Sequence, residues 1–174
     1  MAVEFRKATE RDLPAIKTIY EEIVNDMKSK GVNIWHDEYP YTVFCEEVPE
    51  GRLYVLSEGA EILSAISILD THPAAKSVTW SEPDAPATYM SRLGVNVAHR
   101  REGIARKTLN CALSEAGRRG SKYLRLFAVD INYPAITMYG KYGFTRADGV
   151  YVENLPGGLI THEYGFEKAT DEPI

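Results

Sequence analysis

The sequence lacks the features that mark most specialised classes of protein. Only two cysteines, Cys45 and Cys111, occur in 174 residues, which excludes a disulfide framework and leaves no C-x-x-C pair for a metal. Both lie in helical patterns, where a buried free thiol is expected. The four histidines, at 36, 72, 99 and 162, are scattered, with no H-E-x-x-H spacing, so no metal is expected. An excess of basic residues is also missing. The net charge of −5 argues against a general nucleic-acid binder. No apolar run reaches the length of a signal segment or a membrane span. A cytoplasmic location with no membrane partner follows as the expectation. Both common phosphate loops, G-x-x-x-x-G-K-[ST] and G-x-G-x-x-G after a strand, are absent as well.

What is present reads as an ordinary globular chain. Apolar residues make up 44% and charged residues 26%, and the length suggests one domain, 1–174, with a substantial core. Val3 to Ala8 reads as a strand. Thr9-x-x-Asp12 is a capping-box-like start to a helix striped with Leu13, Ile16, Ile19, Tyr20, Ile23, Val24 and Met27, which stops before Gly31. Tyr41, Phe44, Cys45 and Val48 mark a second short helix. Arg52 to Ser57 and Ile62 to Leu69 form a hairpin around Glu58-Gly59-Ala60-Glu61, and Val78 to Ser81 continues the sheet. After a proline-rich loop at 82–86, strands are expected at Thr88 to Val97, Tyr123 to Val129, Arg146 to Glu153 and Leu159 to Phe166. The last turn falls at Asn154 to Gly158, and the final eight residues are expected to fray. The layout is mixed α/β, with helices punctuating one sheet.

The informative stretch is Leu93 to Ala105. Leu93, Val95 and Val97 alternate as in a strand, Arg100-Arg101-Glu102-Gly103 breaks the pattern, and helical spacing begins at Ile104. A strand, a glycine turn and a helix N-terminus together present unpaired N–H groups at the positive end of a dipole, a place for phosphate oxygens. Gly103 lets a ligand approach the backbone closely. Glu102 does not help a pyrophosphate and is expected to point outward. A second block, Asn132-x-x-Ala135-x-x-x-Tyr139-x-x-x-Gly143-Phe144, reads as a short helix with Pro134 in its first turn and Gly143 at its exit.

Arg100-x-x-Gly103-x-Ala105, preceded by Leu93-x-Val95, resembles the coenzyme A pyrophosphate motif R/Q-x-x-G-x-G/A of the GNAT acetyltransferase superfamily. The second block resembles that superfamily's tyrosine helix, in the same order. The resemblance covers essentially the whole chain and implies a central mixed, largely antiparallel sheet flanked by helices. It implies transfer of an acetyl group from acetyl-CoA to a primary amine by direct attack in a ternary complex. Leu93 and Val95 then match the strand positions whose backbone meets the pantetheine arm. Arg100, Arg101, Gly103, Ile104 and Ala105 match the pyrophosphate loop, acting through main-chain N–H groups. Asn132 matches a position contacting the pantetheine or its neighbouring backbone, and Ala135 leaves room beside it. Tyr139 matches the tyrosine that protonates the departing thiolate.

An alkylamine is mostly protonated at pH 7, and neutralising it costs about 4–5 kcal/mol, so a base or a water path is needed. The expected strand 88–97 carries no acid or histidine. Phe127 stands where some members that acetylate protein N-termini have an acid, which favours a small-molecule amine over a peptide. A non-catalytic acyl-CoA-binding module is the third alternative. Glu38, Asp70, Glu82, Asp84 and His36 are the remaining base candidates. Recognition of the amine would fall to Trp35 and Tyr39 with His36, and to loop tips near Trp80 and Tyr89, where aromatics can cage an ammonium. Strand edges near the C-terminus bearing Tyr151, Tyr164 and Phe166, together with the resemblance, point to a homodimer.

Overall fold

A computed structural model describes residues 2–154 and 158–174. The chain forms two compact units, Met1–Ile68 with Ser91–Cys111, and Leu69–Met90 with Ala112–Ile174.

In the first unit, β1 (Val3–Lys7) pairs antiparallel with β2 (Leu53–Glu58), and β2 pairs antiparallel with β3 (Glu61–Leu69). β3 neighbours β5 (Ala87–Val95), which gives Ser91–Val95 to this unit. The expected capping box at Thr9 and Asp12 closes a 3-10 turn, Glu10–Asp12, which runs directly into helix α1 (Leu13–Ser29). The Asp12 carboxylate accepts from the Thr9 N–H at 2.7 Å and the Thr9 hydroxyl at 2.9 Å, and both its oxygens accept from Arg6 at 2.8 Å. These bonds satisfy donors that a helix start otherwise leaves open. The apolar stripe Ile16, Ile19, Tyr20 and Ile23 packs with Phe44 of α2 (Tyr41–Glu47) and with Val48, Leu53, Val55 and Ala65.

β5 is not a regular strand. Arg92 has a left-handed backbone, φ +55°, a conformation that costs about 1–2 kcal/mol for an L residue. The Tyr20 hydroxyl meets the Arg92 carbonyl at 2.6 Å and the Ala65 carbonyl at 3.1 Å. The Arg92 guanidinium pairs with Glu47, whose other oxygen accepts from the Ser67 hydroxyl. Two residues on, Gly94 leaves the space that the Tyr20 ring fills.

In the second unit, Ala87–Met90 of β5 pairs in parallel with β6 (Tyr123–Val129). β10 (Ile160–Ala169) lies antiparallel on β6 and takes β7 (Thr145–Arg146) and β9 (Tyr151–Asn154) on its other edge. β4 (Val78–Thr79) and β8 (Asp148–Gly149) form a separate two-stranded sheet. Helix α3 (Ile104–Arg118) passes from the first unit into the second, and α4 (Tyr133–Lys141) lies wholly in the second.

The mixed, largely antiparallel sheet with its helices agrees with the expected fold class, with local corrections. Val78 to Ser81 does not continue the main sheet. Arg146 to Glu153 is three short strands, because the chain leaves β10 after the Ala147 N–H bonds the Gly165 carbonyl, pairs with β4, and returns. Val97 lies in a 3-10 turn, Val97–His99. There the Asn96 side chain accepts from the Ala98 N–H at 3.0 Å and donates to the Ile62 carbonyl at 3.1 Å, which draws the backbone out of the ladder. The end of the chain does not fray at Glu167, since β10 runs on to Ala169 with Glu167 and Lys168 buried. Phe166 is buried, and β10 is flanked on both sides, so Tyr164 and Phe166 offer no free strand edge for a dimer. Cys45 is exposed, not buried, because α2 turns Phe44 and Glu47 inward instead. The expected turn at Asn154 to Gly158 lies partly outside the described residues.

A Cβ at Gly94 would lie 2.5 Å from Tyr20 Cζ and 2.9 Å from Ile23 Cδ1. Gly94→Ala is therefore expected to destabilise the protein by about 1–3 kcal/mol through overpacking. Urea unfolding would show this as a lower midpoint with an unchanged slope.

Candidate active site

In the first unit, Leu93 and Val95 occupy the half of β5 that follows the left-handed break, past the end of the parallel ladder at Met90. The chain then makes its 3-10 turn and reaches the loop. Arg101 and Gly103 both have left-handed backbones, φ +69° and +76°, and a Cβ at Gly103 would meet nothing within 4 Å. Alternating backbone handedness of this kind turns successive N–H groups toward one side, a nest for anions. The first bond of α3 runs from the Lys107 N–H to the Gly103 carbonyl, 3.0 Å. The N–H groups of Ile104 and Ala105, ahead of that bond, therefore have no acceptor within the helix.

The side chains around this loop leave the backbone to do the binding. Arg100 is paired with Asp26 at 2.6 Å, and Asp26 also takes Lys30 at 2.8 Å. Those two cations hold the Asp26 carboxyl well below the usual range, the Arg100 bond being the larger cause. Glu102 bonds His99 Nδ1 at 3.1 Å, and Glu61 meets the same ring's Nε2 at 2.8 Å. Those carboxylates, Glu61 first, raise the His99 pKa. Ile104 is buried beside Leu56, Leu63 and Val95. The Thr108 hydroxyl, 2.9 Å from the Ile104 carbonyl and 2.6 Å from the Ser64 hydroxyl, pins the first turn to β3. Ala105 is half-buried. The loop thus combines a left-handed glycine with a helix start, a geometry that suits phosphate oxygens through main-chain donors.

In the second unit, Asn132 caps α4, its side-chain oxygen accepting from the Ala135 N–H at 3.4 Å. Tyr139 is buried, its ring 5.6 Å from that of Phe144 and 6.1 Å from that of Phe166. Desolvation pushes the phenol pKa up, opposite to the lowering that would make it a stronger acid.

Three of the four aromatic residues expected to meet the substrate are packing residues. Trp35 is half-buried against the first unit's core, its ring tilted to that of Tyr20 with centroids 5.5 Å apart. Trp80 is buried, donates to the Ala75 carbonyl at 2.9 Å, and lies 4.6 Å from the Arg125 guanidinium. Tyr89 is buried in the same cluster. They are core residues, not loop tips. Tyr39 is half-buried beside His36, with ring centroids 5.9 Å apart. Of the base candidates, Glu82 is held by Lys122 and Tyr123, and its pKa is lowered, mainly by the Lys122 bond. Asp70 is exposed and paired with Arg119 at 3.1 Å. Glu38, Asp84 and His36 are exposed.

A different acid stands out. Glu163 on β10 is opposed by Val129 of β6 and Tyr151 of β9. Its pKa is pushed up to about 7, by burial first and the charge of Glu153 second. An aromatic wall lies alongside. Phe127 is 6.4 Å from Tyr151, and His72 stacks on Phe127 at 4.7 Å. No motif advertises Glu163, though period-2 alternation with the exposed His162 was a signal for an inward acid. Among the described residues no group of three His, Cys, Asp or Glu side chains could hold a metal ion.

Comparison with known proteins accords with this arrangement. The model of the acetyltransferase (GNAT) family matches residues 16–144. Among curated proteins nothing matches. A GNAT-family acetyltransferase from Streptococcus agalactiae 2603 has a similar structure, with a TM-score of 0.78 at 16% identity over 98% of this chain and 96% of that one. The yncA protein of Salmonella typhimurium, solved with its cofactor acetyl-CoA, is similar at a TM-score of 0.66 and 22% identity, covering 99% and 96%. A ribosomal-protein-alanine N-acetyltransferase from Brucella melitensis is similar at 0.68 and 21%, covering 95% and 99%. The family match spans most of the sequence and includes the loop around Gly103, and on that ground the chain belongs to the acetyltransferase (GNAT) family.

Proposed function

We propose that this acetyltransferase moves the acetyl group of acetyl-CoA to the primary amine of a small molecule, by direct attack in a ternary complex. The observation that carries the reading is the turn from Arg100 to Ala105. Its left-handed Gly103 has open space where a Cβ would be, and the first turn of α3 follows it directly, with Lys107 making the bond back to the Gly103 carbonyl. Leu93 and Val95 supply backbone to the pantetheine arm. The thioester supplies the activated acetyl group. The chain's task is to orient it, to present a neutral amine, and to protonate the sulfur that leaves.

Tyr139 serves the last of these. Burial keeps its phenol protonated across the neutral range, so it donates as the C–S bond breaks rather than beforehand. Such general acid catalysis is worth about 10²–10⁴-fold. The apolar Phe127 and the aromatic wall beside it favour a small amine over a peptide backbone. The Brucella melitensis relative, named for a ribosomal-protein alanine, makes peptides the necessary control.

Release of CoA should be followed with panels of small amines and of peptides. Turnover confined to peptides would reject the small-molecule reading, and CoA binding without any turnover would mark a non-catalytic module. Gly103→Val forces a branched side chain into a left-handed backbone, a cost of about 1–2 kcal/mol, and places carbon where phosphate oxygens approach. Calorimetry should find CoA binding weakened about tenfold or more, with the melting temperature lowered by only about 2–8 °C. Tyr139→Phe should keep wild-type CoA affinity while kcat falls by about 10²-fold or more. An unchanged kcat under conditions where chemistry limits the rate would make Tyr139 a packing residue.

A further inference from the structure

The last strand carries a feature that acetyl-CoA binding leaves unexplained. Thr161 and Glu163 lie on one face of β10, two residues apart. Thr161 is opposed by Glu153 and Glu163 by Tyr151 on β9. The Thr161 Oγ1 atom is buried and has no hydrogen-bond partner. Among the described residues no cation is paired with Glu163. A buried oxygen without a donor and a desolvated carboxyl without a cation are both costly, and the same face holds both. Next to them is the apolar wall of Phe127 and Tyr151, backed by His72. Two oxygens in want of N–H donors beside aromatic rings describe a receptor for an alkylammonium group on an apolar stem.

We propose that this face of β9 and β10 is the acceptor site, where Thr161 and Glu163 bind the ammonium of an amine with an apolar stem and Glu163 takes its proton. The inference rests on the acetyl-transfer reading above. The proton balance is complete. The ammonium gives one proton to the Glu163 carboxylate, and the freed lone pair forms the C–N bond as the C–S bond breaks. Nitrogen gives a second proton to water as the amide forms, and Tyr139, having given its own to the thiolate, regains one from water, so these two transfers cancel. Glu163 returns its proton to solvent, so one proton is released per turnover. A carboxyl raised to about 7 is near the optimum for accepting a proton at neutral pH.

The groups that bear on Glu163 are identifiable. Glu153 and Tyr151 face it from β9. On β6, Arg125 is engaged by Glu167 of β10 at 3.0 Å. His72 covers Phe127, while Asp130 and His162 form their own contact at 3.9 Å. Because the folded carboxyl binds its proton more tightly than the unfolded one, its ionisation costs stability as pH rises from about 4.5 to about 7. Glu163→Gln is therefore expected to fold and, above pH 7, to melt no lower than the wild type.

The test is kinetic, with phenethylamine and n-hexylamine as probe acceptors. In Glu163→Gln, kcat/KM at pH 7 should fall by about 10²-fold or more, with CoA affinity unchanged. The rate limb near pH 7 should disappear, and activity should recover as pH approaches the amine's own pKa. Thr161→Val, which removes only the buried oxygen, should raise the amine KM several-fold and leave CoA affinity and kcat nearly as they were. Wild-type kcat/KM and pH profile in Glu163→Gln would overturn the site while leaving acetyl transfer to small amines intact. A wild-type enzyme that acetylates neither probe nor any other small amine would instead overturn the underlying reading, and this site with it.

Discussion

The first unit depends on one hydroxyl. Tyr20 reaches from α1 to the Arg92 carbonyl at 2.6 Å and to the Ala65 carbonyl at 3.1 Å, and so fixes the left-handed break in β5. Without that anchor the extended conformation would be preferred, since a left-handed arginine costs about 1–2 kcal/mol. The Glu47 carboxylate adds a second restraint by pairing with the Arg92 guanidinium while accepting from Ser67. A buried ion pair of this kind specifies geometry better than it adds stability. Here the geometry it specifies is the course of the chain through Leu93, Val95 and the loop beyond. Gly94 is required for the same reason, since the space a side chain would take belongs to Tyr20.

From that fixed strand the loop is positioned by short-range chemistry. Asn96 replaces ladder bonds with its own side-chain bonds to Ala98 and Ile62. His99 is clamped between Glu61 and Glu102, which also turns the Glu102 charge aside from the helix start. Ile104 and Thr108 then hold the first turn of α3 against Leu63 and Ser64. Each contact is small. Together they hold the N–H groups of Ile104 and Ala105 in a fixed array, and fixed donors of this kind would need no reorganisation to meet the anion of the proposed cofactor.

How much of this was legible in the sequence follows from the range of each interaction. The strand, turn and helix around Gly103 were readable because they are set by neighbours in the chain: alternation, a glycine and an apolar helical stripe. The capping box of Thr9 and Asp12, on the 3-10 turn that leads into α1, was readable for the same reason. The assignments of Trp80 and Tyr89 failed because their environment is made by distant residues. Trp80 is buried by Gly165, whose missing side chain makes room for the indole, and by Arg125, which Glu167 holds in place. The division of 146–153 into three strands likewise depends on β4 and β10 competing for one short segment. Polar composition alone suggested a fraying C-terminus. A buried Glu167 that accepts from both Arg125 and the Ser81 N–H overrides that composition.

Glu163 was hidden for a further reason, and the reason is chemical. A carboxylate in a terminal strand reads as solvated, because ionised side chains seldom go inside unpaired. Its burial beside Val129 and Tyr151 appears only once β6 and β9 are paired with β10. Desolvation then acts on two groups of the second unit in the same direction and to opposite effect. It raises the phenol of Tyr139, which stays protonated at neutral pH and can only donate. It raises the carboxyl of Glu163 to about 7, where the ionised form is populated and can accept. In the proposed reaction, acid and base are thus separated by the intrinsic pKa values of a phenol and a carboxyl, with burial supplying the shift to both. An amine that arrives protonated needs an acceptor, and a thiolate that leaves needs a donor. One physical cause, exclusion of water around two side chains of different chemistry, prepares both.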